Sequence, residues 1–326
     1  MTDIQRRHFL RLAAGIAALP ATSLAASAQA YPSRPVRLLI GFAPGGGTDV
    51  MARLVQPLLS ERLGQQIVIE NRPGAGTNIA TEAVVNATPD GYTLLEASLA
   101  NAGNATLYGD LRFNFIRDTA PIAGIALDPF VLQVTPSLPV KTIPELIAYA
   151  KAHPGKVNMG SGGIGSGNQL SGDMFKAMVG IELVHVPYRG AGPAMVDLMG
   201  GQVQVMFNTM SASLEHVRGG KLRALGVATK TRQAALPDVP TVAEFVPGYE
   251  ASFWTGIVGP KATPAEVVDK INKDVNAVLA DPKVKGRLAE WGATALTGSP
   301  ADFAKFVADE TEKWGKVIRT ANIKAE

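Results

Sequence analysis

The apolar run at 36–42, interrupted only by Arg37, reads as a buried strand. Val50-Met51-Ala52-Arg53-Leu54-Val55 then returns to helical spacing. The alternation repeats. Residues 67–70 read as a strand and 78–86 as a helix. The turn Thr88-Pro89-Asp90-Gly91 leads to a third strand at 92–97, which ends in Ser98-Leu99-Ala100-Asn101. Strand, helix, strand, helix, strand predicts a parallel sheet with helices on both faces. The middle third carries strands at 130–134, 157–160, 183–188, 203–208 and 224–228. Helices are predicted from the Thr142/Glu145 capping box, from near Gln169 to Met178, and from Gly192 to Met199. This is a second α/β unit. A last apolar run at 253–258 precedes the capping box Thr263-Pro264-Ala265-Glu266 and a helix carrying Val267, Ile271, Val275 and Leu279. Ser299-Pro300-Ala301-Asp302 opens the final helix, with Phe303, Phe306, Val307 and Trp314. These terminal helices have no strands of their own and are expected to pack back on the first sheet. Two units joined by crossings near 128–136 and 249–260 place a ligand in the cleft between them, at strand C-termini.

Three glycine runs sit where strands hand over to helices. They are Pro44-Gly45-Gly46-Gly47-Thr48-Asp49, Pro73-Gly74-Ala75-Gly76-Thr77-Asn78, and Gly160-Ser161-Gly162-Gly163-Ile164-Gly165-Ser166-Gly167. Strand, glycine loop and helix aim bare backbone N–H groups at an anion, and glycine lets the backbone approach without a Cβ in the way. One such loop is as well explained by a tight turn; the recurrence points to several helix N-termini converging on a small acidic ligand. Thr48 or Asp49 is expected to cap the first helix. A sharper role for Asp49 is to orient a bridging water or to meet an ammonium group on the ligand.

Composition changes the picture at the N-terminus. The chain has 326 residues, 46% hydrophobic and 18% charged, enough for two domains with a core. Residues 1–30 read as an export signal. Gln5-Arg6-Arg7-His8-Phe9-Leu10-Arg11 resembles a twin-arginine motif, a short apolar stretch follows at 12–19, and Ala28-Gln29-Ala30 is a cleavage site after Ala30. The expected destination is the periplasm. Without Arg6, Arg7, Arg11 and Asp3 the net charge falls from +3 to +1, which leaves no electrostatic case for nucleic acid. There is no cysteine, hence no disulfide or thiol chemistry.

Catalytic signals are sparse. His153, His185 and His216 have no metal-ligand spacing, and His185 lies in an apolar strand. Neither G-x-S-x-G nor a P-loop occurs. Gly160, Gly162 and Gly165 do fit G-x-G-x-x-G between a strand and a helix, with Glu182 following. That keeps an exported nucleotide-dependent oxidoreductase as the competing reading. The leading one is a non-enzymatic binding protein with no cofactor and no metal.

Leu39-Ile40-Gly41-Phe42-Ala43-Pro44-Gly45-Gly46-Gly47-Thr48-Asp49 resembles the first motif of the Bug family, the extracytoplasmic solute receptors of tripartite tricarboxylate transporters. The resemblance runs on through Glu70-Asn71-Arg72-Pro73-Gly74-Ala75-Gly76, Pro89-Asp90-Gly91-Tyr92-Thr93-Leu94-Leu95, Val186-Pro187-Tyr188-Arg189-Gly190, Leu198-Met199-Gly200-Gly201-Gln202-Val203 and Pro237-Asp238-Val239-Pro240-Thr241. It implies a type II periplasmic-binding-protein fold with two α/β lobes around a ligand cleft. One lobe is 31–130 with 253–326, the other 131–252. It implies capture of a small organic carboxylate, for transporter subunits in the membrane or a sensor kinase. Lobe closure leads us to expect a monomer. Carried over by motif, one end of the carboxylate meets Phe42, Gly46, Gly47, Thr48, Asp49, Gly76 and Thr77. The other end meets Ser161, Gly162, Ser166 and Asn208. The chain departs from common family residues at Thr77-Asn78, at Gln169, at Asn208 and at 98–104, where it carries Asn101 and Asn104. Asn101, Asn208 and the serines are neutral hydrogen-bonding groups, which fits a ligand whose far end is polar without strong charge. Dicarboxylates, amino acids and aromatic acids all stay open.

Overall fold

In a computed structural model, which describes residues 31–325, strand and helix alternate through most of the chain. Every described strand and helix lies in the unit that begins at Arg34. β1 (Val36–Ile40) leads through loop one to α1 (Gly47–Leu63). β2 (Ile67–Asn71) leads through loop two, which ends in a 3-10 turn, to α2 (Asn78–Val85). β3 (Thr93–Ser98) runs directly into α3 (Leu99–Leu107). After the one-turn α4 (Phe115–Asp118) come β4 (Thr119–Val134), α5 (Ile143–Ala152) and β5 (Asn158–Ser161). Loop three follows, then α6 (Gly167–Val179), β6 (Val184–Pro187), α7 (Ala191–Met199), β7 (Val205–Thr209), α8 (Met210–Arg218) and β8 (Arg223–Val227). The chain returns through β9 (Ser252–Pro260) to α9 (Ala265–Ala280), α10 (Pro282–Glu290), the two-residue β10 (Thr294–Ala295) and α11 (Pro300–Thr320).

The strands follow the order β2-β1-β3-β9-β4-β7-β5-β6, with β8 and β10 also paired to β4. β2, β1 and β3 are parallel, as the opening alternation predicts. β9 then lies antiparallel between β3 and β4. β4 is the long element that both halves of this two-lobe α/β fold share. Its pairing with β9 ends at Pro129↔Ser252, and its pairing with β7 begins at Phe130↔Thr209. The apolar pattern marks only 130–134 of this strand, because Pro121, Gly124 and Pro129 break the preceding stretch. The structure absorbs two of those breakers in register shifts at Pro121/Ala123 and Gly124/Ala126.

Other differences are local. α3 and α8 follow their strands without a linker, so the apolar spacing of strand and helix runs together. Gly46, not Thr48 or Asp49, is the N-cap of α1. The two-residue β10 pairs with Ala126 and Leu127 of β4, so the terminal segment does contribute a strand. The terminal helices pack back as expected: α9 lies on α1 and β4, and α11 on α3 and β4. One apolar core runs from Leu39 and Leu95 through Phe130 and Trp254 to Phe175, Phe207 and Tyr249. Trp254 stands edge-on to Phe303 and Phe306, at 6.0 and 5.6 Å between ring centroids, which ties α11 to β9. Among the described residues no helix is long and apolar enough to cross a membrane. The twin-arginine motif, the signal peptide and the cleavage site after Ala30 lie outside the described residues.

Candidate functional site

Loop one is held from beneath by Asp49. Its Oδ2 accepts from the Gly45 N–H at 3.1 Å and from Arg53 Nε at 2.9 Å, and its Oδ1 accepts from Asn71 Nδ2 at 3.2 Å. Asn71 Nδ2 also donates to the Phe42 carbonyl at 2.9 Å. Gly45 takes a positive φ of 87°, which glycine adopts at no steric cost. Burial pushes the Asp49 carboxyl up, but the hydrogen bonds from Arg53, Gly45 and Asn71 outweigh it and hold the group below the ordinary range. The side chain is thus spent on backbone and neighbours, inside the first turn of α1 rather than at its cap. Asp49 therefore does not cap the helix as expected: one of its partners is a backbone N–H, that of Gly45, and the other two are the side chains of Arg53 and Asn71.

The cleft is lined by Phe42, Gly46, Gly47, Thr48, Gly167, Asn168, Ala191, Asn208, Thr209 and Phe253. Four helices begin on it. Gly47 and Thr48 are the first residues of α1, Gly167 and Asn168 of α6, Ala191 of α7, and Thr209 is the N-cap of α8. At α1, α7 and α8 no cap side chain bonds the first-turn N–H groups. No lining residue is ionisable. Each helix N-terminus carries roughly +0.5 charge, so positive potential here comes from backbone alone. Asn168 Nδ2 donates to the Phe207 carbonyl at 2.7 Å and to Asn208 Oδ1 at 3.2 Å. That fixes the Asn208 amide, whose Nδ2, among the described residues, meets only the Met195 sulfur, at 3.5 Å.

The two sides of the cleft touch across it. The Ala43 N–H donates to the Arg189 carbonyl at 2.9 Å. A Cβ on Gly46 would stand 3.2 Å from that of Ala191. The remaining cavity is only about 20 Å³, room for about one water.

Of the residues singled out from sequence, the cleft gathers Phe42, Gly46, Gly47, Thr48 and Asn208. Gly76, Thr77 and Asn101 lie elsewhere, in a polar knot that ties loop two to α3. Asn101 donates to Thr77 Oγ1 at 3.2 Å and Thr81 Oγ1 at 2.9 Å, and accepts from the Ser98 N–H at 2.8 Å. Gly76 abuts the Ile164 carbonyl of loop three, and Asn104 donates to its carbonyl at 2.5 Å. Ser166 caps α6, accepting from the Gln169 N–H at 3.3 Å. Ser161, fully buried, bonds His185 Nε2 at 2.6 Å. Gly162 packs against Asn168 and the Ala191 N–H. Gly163 and Gly165 take positive φ values of 116° and 78°, and Gly167 packs against Phe130 and Phe253, so turns and close packing account for the third glycine run, and nothing supports its reading as a nucleotide loop. Sequence patterns do not point to Asn168, Ala191, Thr209 and Phe253. Ala191 sits one residue ahead of the helix start predicted at Gly192, and Thr209 caps a helix whose start no glycine run or capping box marks. Asn168 sits just ahead of the helix start that the pattern predicts near Gln169.

Residues 51–323 match the family model described as the tripartite tricarboxylate transporter family receptor. Protein BugT of Bordetella pertussis is 38% identical over 301 residues, 91% of this chain and 92% of that protein. The R. palustris protein Rpa4515, solved with adipate, superposes with a TM-score of 0.87 at 38% identity, covering 90% of this chain and 99% of that one. MatC from Rhodopseudomonas palustris, with bound malate, gives 0.85 at 33% identity, covering 88% and 100%. With a family model spanning most of its length and relatives this similar end to end, the chain belongs to the receptor family of the tripartite tricarboxylate transporters.

Proposed function

We propose that this protein is a periplasmic receptor that captures a small carboxylate in the cleft between its lobes, 31–130 with 253–326 on one side and 131–252 on the other. The observation that carries the reading is the convergence of four helix N-termini on a cleft with no ionisable side chain. Direct N–H bonds there add to the helix-end potential, and together they can supply the roughly −8 kcal/mol of micromolar binding. Adipate in Rpa4515 and malate in MatC support the same ligand class. A cavity of about 20 Å³ is too small for either acid, so the lobes part to admit ligand and close on it, a hinge motion about β4 and β9. The loops contact ligand through Gly46, Gly47, Thr48, Asn168 and Asn208. The protein is exported with its signal peptide removed, acts as a monomer, performs no catalysis, and hands its ligand to transporter subunits or a sensor.

Thermal unfolding of residues 31–326 with adipate, malate and a nicotinamide nucleotide tests this. A ligand at a hundred times its Kd stabilises the folded state by about 2.7 kcal/mol. A carboxylate is expected to raise Tm by several degrees. A shift with the nucleotide and none with any carboxylate overturns the reading.

A further inference from the structure

Asp128 is a carboxylate buried beside the cleft wall. It lies on β4 next to the point where that strand changes partner from β9 to β7, and it is 1% exposed. Its Oδ2 accepts from Ser211 Oγ at 2.5 Å and its Oδ1 from the Ser211 N–H at 3.3 Å, in the first turn of α8. Ser211 Oγ stands 3.4 Å from Thr209 Oγ1, and Thr209 lines the cleft. A chain of polar contacts, its last link long at 3.4 Å, thus runs from a buried carboxyl group to a hydroxyl on the cleft wall. Asp128 also occupies the same helix N-terminus that faces the ligand.

We propose that binding of an anion in the cleft draws a proton from solvent onto Asp128, through the Ser211–Thr209 chain and the shared N-terminus of α8, so that capture strengthens as pH falls towards neutrality. This rests on the receptor reading. Ser211 has one hydroxyl hydrogen. With Asp128 ionised, that single hydrogen goes to the carboxylate and none is left for the Thr209 oxygen. With Asp128 protonated, its O–H donates to Ser211, which turns its own hydrogen to Thr209, and the Thr209 hydroxyl is freed to donate to ligand. The ionised carboxylate also offsets the positive end of α8 that the ligand needs. The two anions therefore compete, and a proton relieves the competition.

The surroundings suit a group that titrates near neutrality. Burial raises the Asp128 carboxyl to about 7, against the bonds from Ser211 and Met210. Ser252 and Phe253 of β9, Thr294 of β10 and Met210 carry no ionisable side chain. The charges of α8, Glu215, His216 and Arg218, lie a turn or more beyond Ser211. The ion pairs on helices packed on β4, Asp49–Arg53, Arg62 and Lys270 with Asp274, Arg117–Asp118, Lys305–Asp309 and Glu310–Lys313, do not include Asp128. A bound anion moves the midpoint of Asp128 above its free value. Affinity is then highest below about pH 7 and falls above it, by at most about tenfold per pH unit for one proton.

Calorimetric titration with adipate and malate between pH 6.5 and 8.5, in two buffers of different ionisation enthalpy, tests the coupling. The ligands' own carboxylates are ionised throughout that range. Wild type is expected to take up a fraction of a proton and to weaken severalfold as pH rises. Asp128→Asn is expected to bind without proton uptake, with a Kd independent of pH and near the wild-type value at pH 6.5. Binding by wild type with no proton uptake overturns the coupling and leaves the receptor reading standing. Uptake that persists in Asp128→Asn assigns the proton to another group and also overturns it. Absence of any carboxylate binding removes both.

Discussion

A Cβ on Gly47 would sit 2.6 Å from Cγ2 and 2.8 Å from Oγ1 of Thr209, so loop one and the head of α8 meet with no room for a side chain between them. The φ of Gly47 is not in the left-handed region, so space rather than backbone strain demands glycine. Gly47→Ala is expected to fold, to push the two walls apart, and to weaken carboxylate binding at least tenfold, about 1.4 kcal/mol. Thr209→Ala removes the two nearest atoms and leaves only the Thr209 Cβ position, at 3.1 Å. The double variant should therefore recover part of the loss. A double-mutant cycle by calorimetry reads this directly, and additive losses mean the contact does not set cleft closure.

Asn208 gives a second handle on the same wall. Its Oδ1 accepts from Asn168, and among the described residues its Nδ2 has only the Met195 sulfur, so it keeps a donor to offer. Asn208→Asp keeps the bond from Asn168 and replaces the donor with an anion. Two like charges about 5 Å apart at an effective dielectric of about 20 repel by roughly 3 kcal/mol. Carboxylate affinity is expected to fall more than tenfold, and further than in Asn208→Ala. Equal affinities for Asn208→Asp and wild type would place the ligand away from β7.

Loop one and most of its cleft residues were legible because one short segment carries the whole device. A buried strand, three glycines and a helix are adjacent in sequence, and Phe42, Gly46, Gly47 and Thr48 all reach the cleft. Loop two carries the same signature yet ends in a polar knot, because Asn101 and Asn104 of α3 consume its hydrogen-bonding groups. Glycine spacing cannot tell a loop that faces ligand from one that faces a helix. Ala191 and Thr209 are ordinary residues; their value comes from lying at the heads of α7 and α8, and only the strand order around β4 brings those heads opposite α1. β4 itself was half hidden, since prolines at 121 and 129 mark a break in sequence but sit within a paired strand here.

Asp49 should matter to loop one more than to the ligand. It collects the Gly45 N–H, Arg53 and Asn71, and its carboxyl is held below the ordinary range. A depressed carboxylate contributes stability that is present above the unfolded value near 3.8 and is lost as pH falls through the folded one. Asp49→Asn is expected to cost about 1–2 kcal/mol in urea unfolding at pH 7. The gap to wild type should close below about pH 4. A gap of constant size across that range would show that packing, not the charge, holds the loop.

Glu96 is the opposite case. It lies on β3 between Ile40 of β1 and Ile257 of β9, 2% exposed, and neither of its carboxylate oxygens has a well-formed hydrogen bond. Burial, and then the charge of Asp49, push the carboxyl well above its usual range; a weak interaction with Thr255 opposes them. A raised acid contributes stability that is full below the unfolded value near 4.5 and is lost as pH rises through the folded one. Glu96→Gln fills the same volume and does not titrate. Relative to wild type it should gain stability as pH climbs above about 4.5, at a rate of at most about 1.4 kcal/mol per pH unit. Because Asp49 contributes to the shift, the rise should level off at a lower pH when Glu96→Gln is compared within an Asp49→Asn background. Urea unfolding of the four proteins between pH 4.5 and 8.5 checks both statements. Parallel pH curves for wild type and Glu96→Gln would mean that Glu96 ionises freely in the fold, through a path to water beside β9.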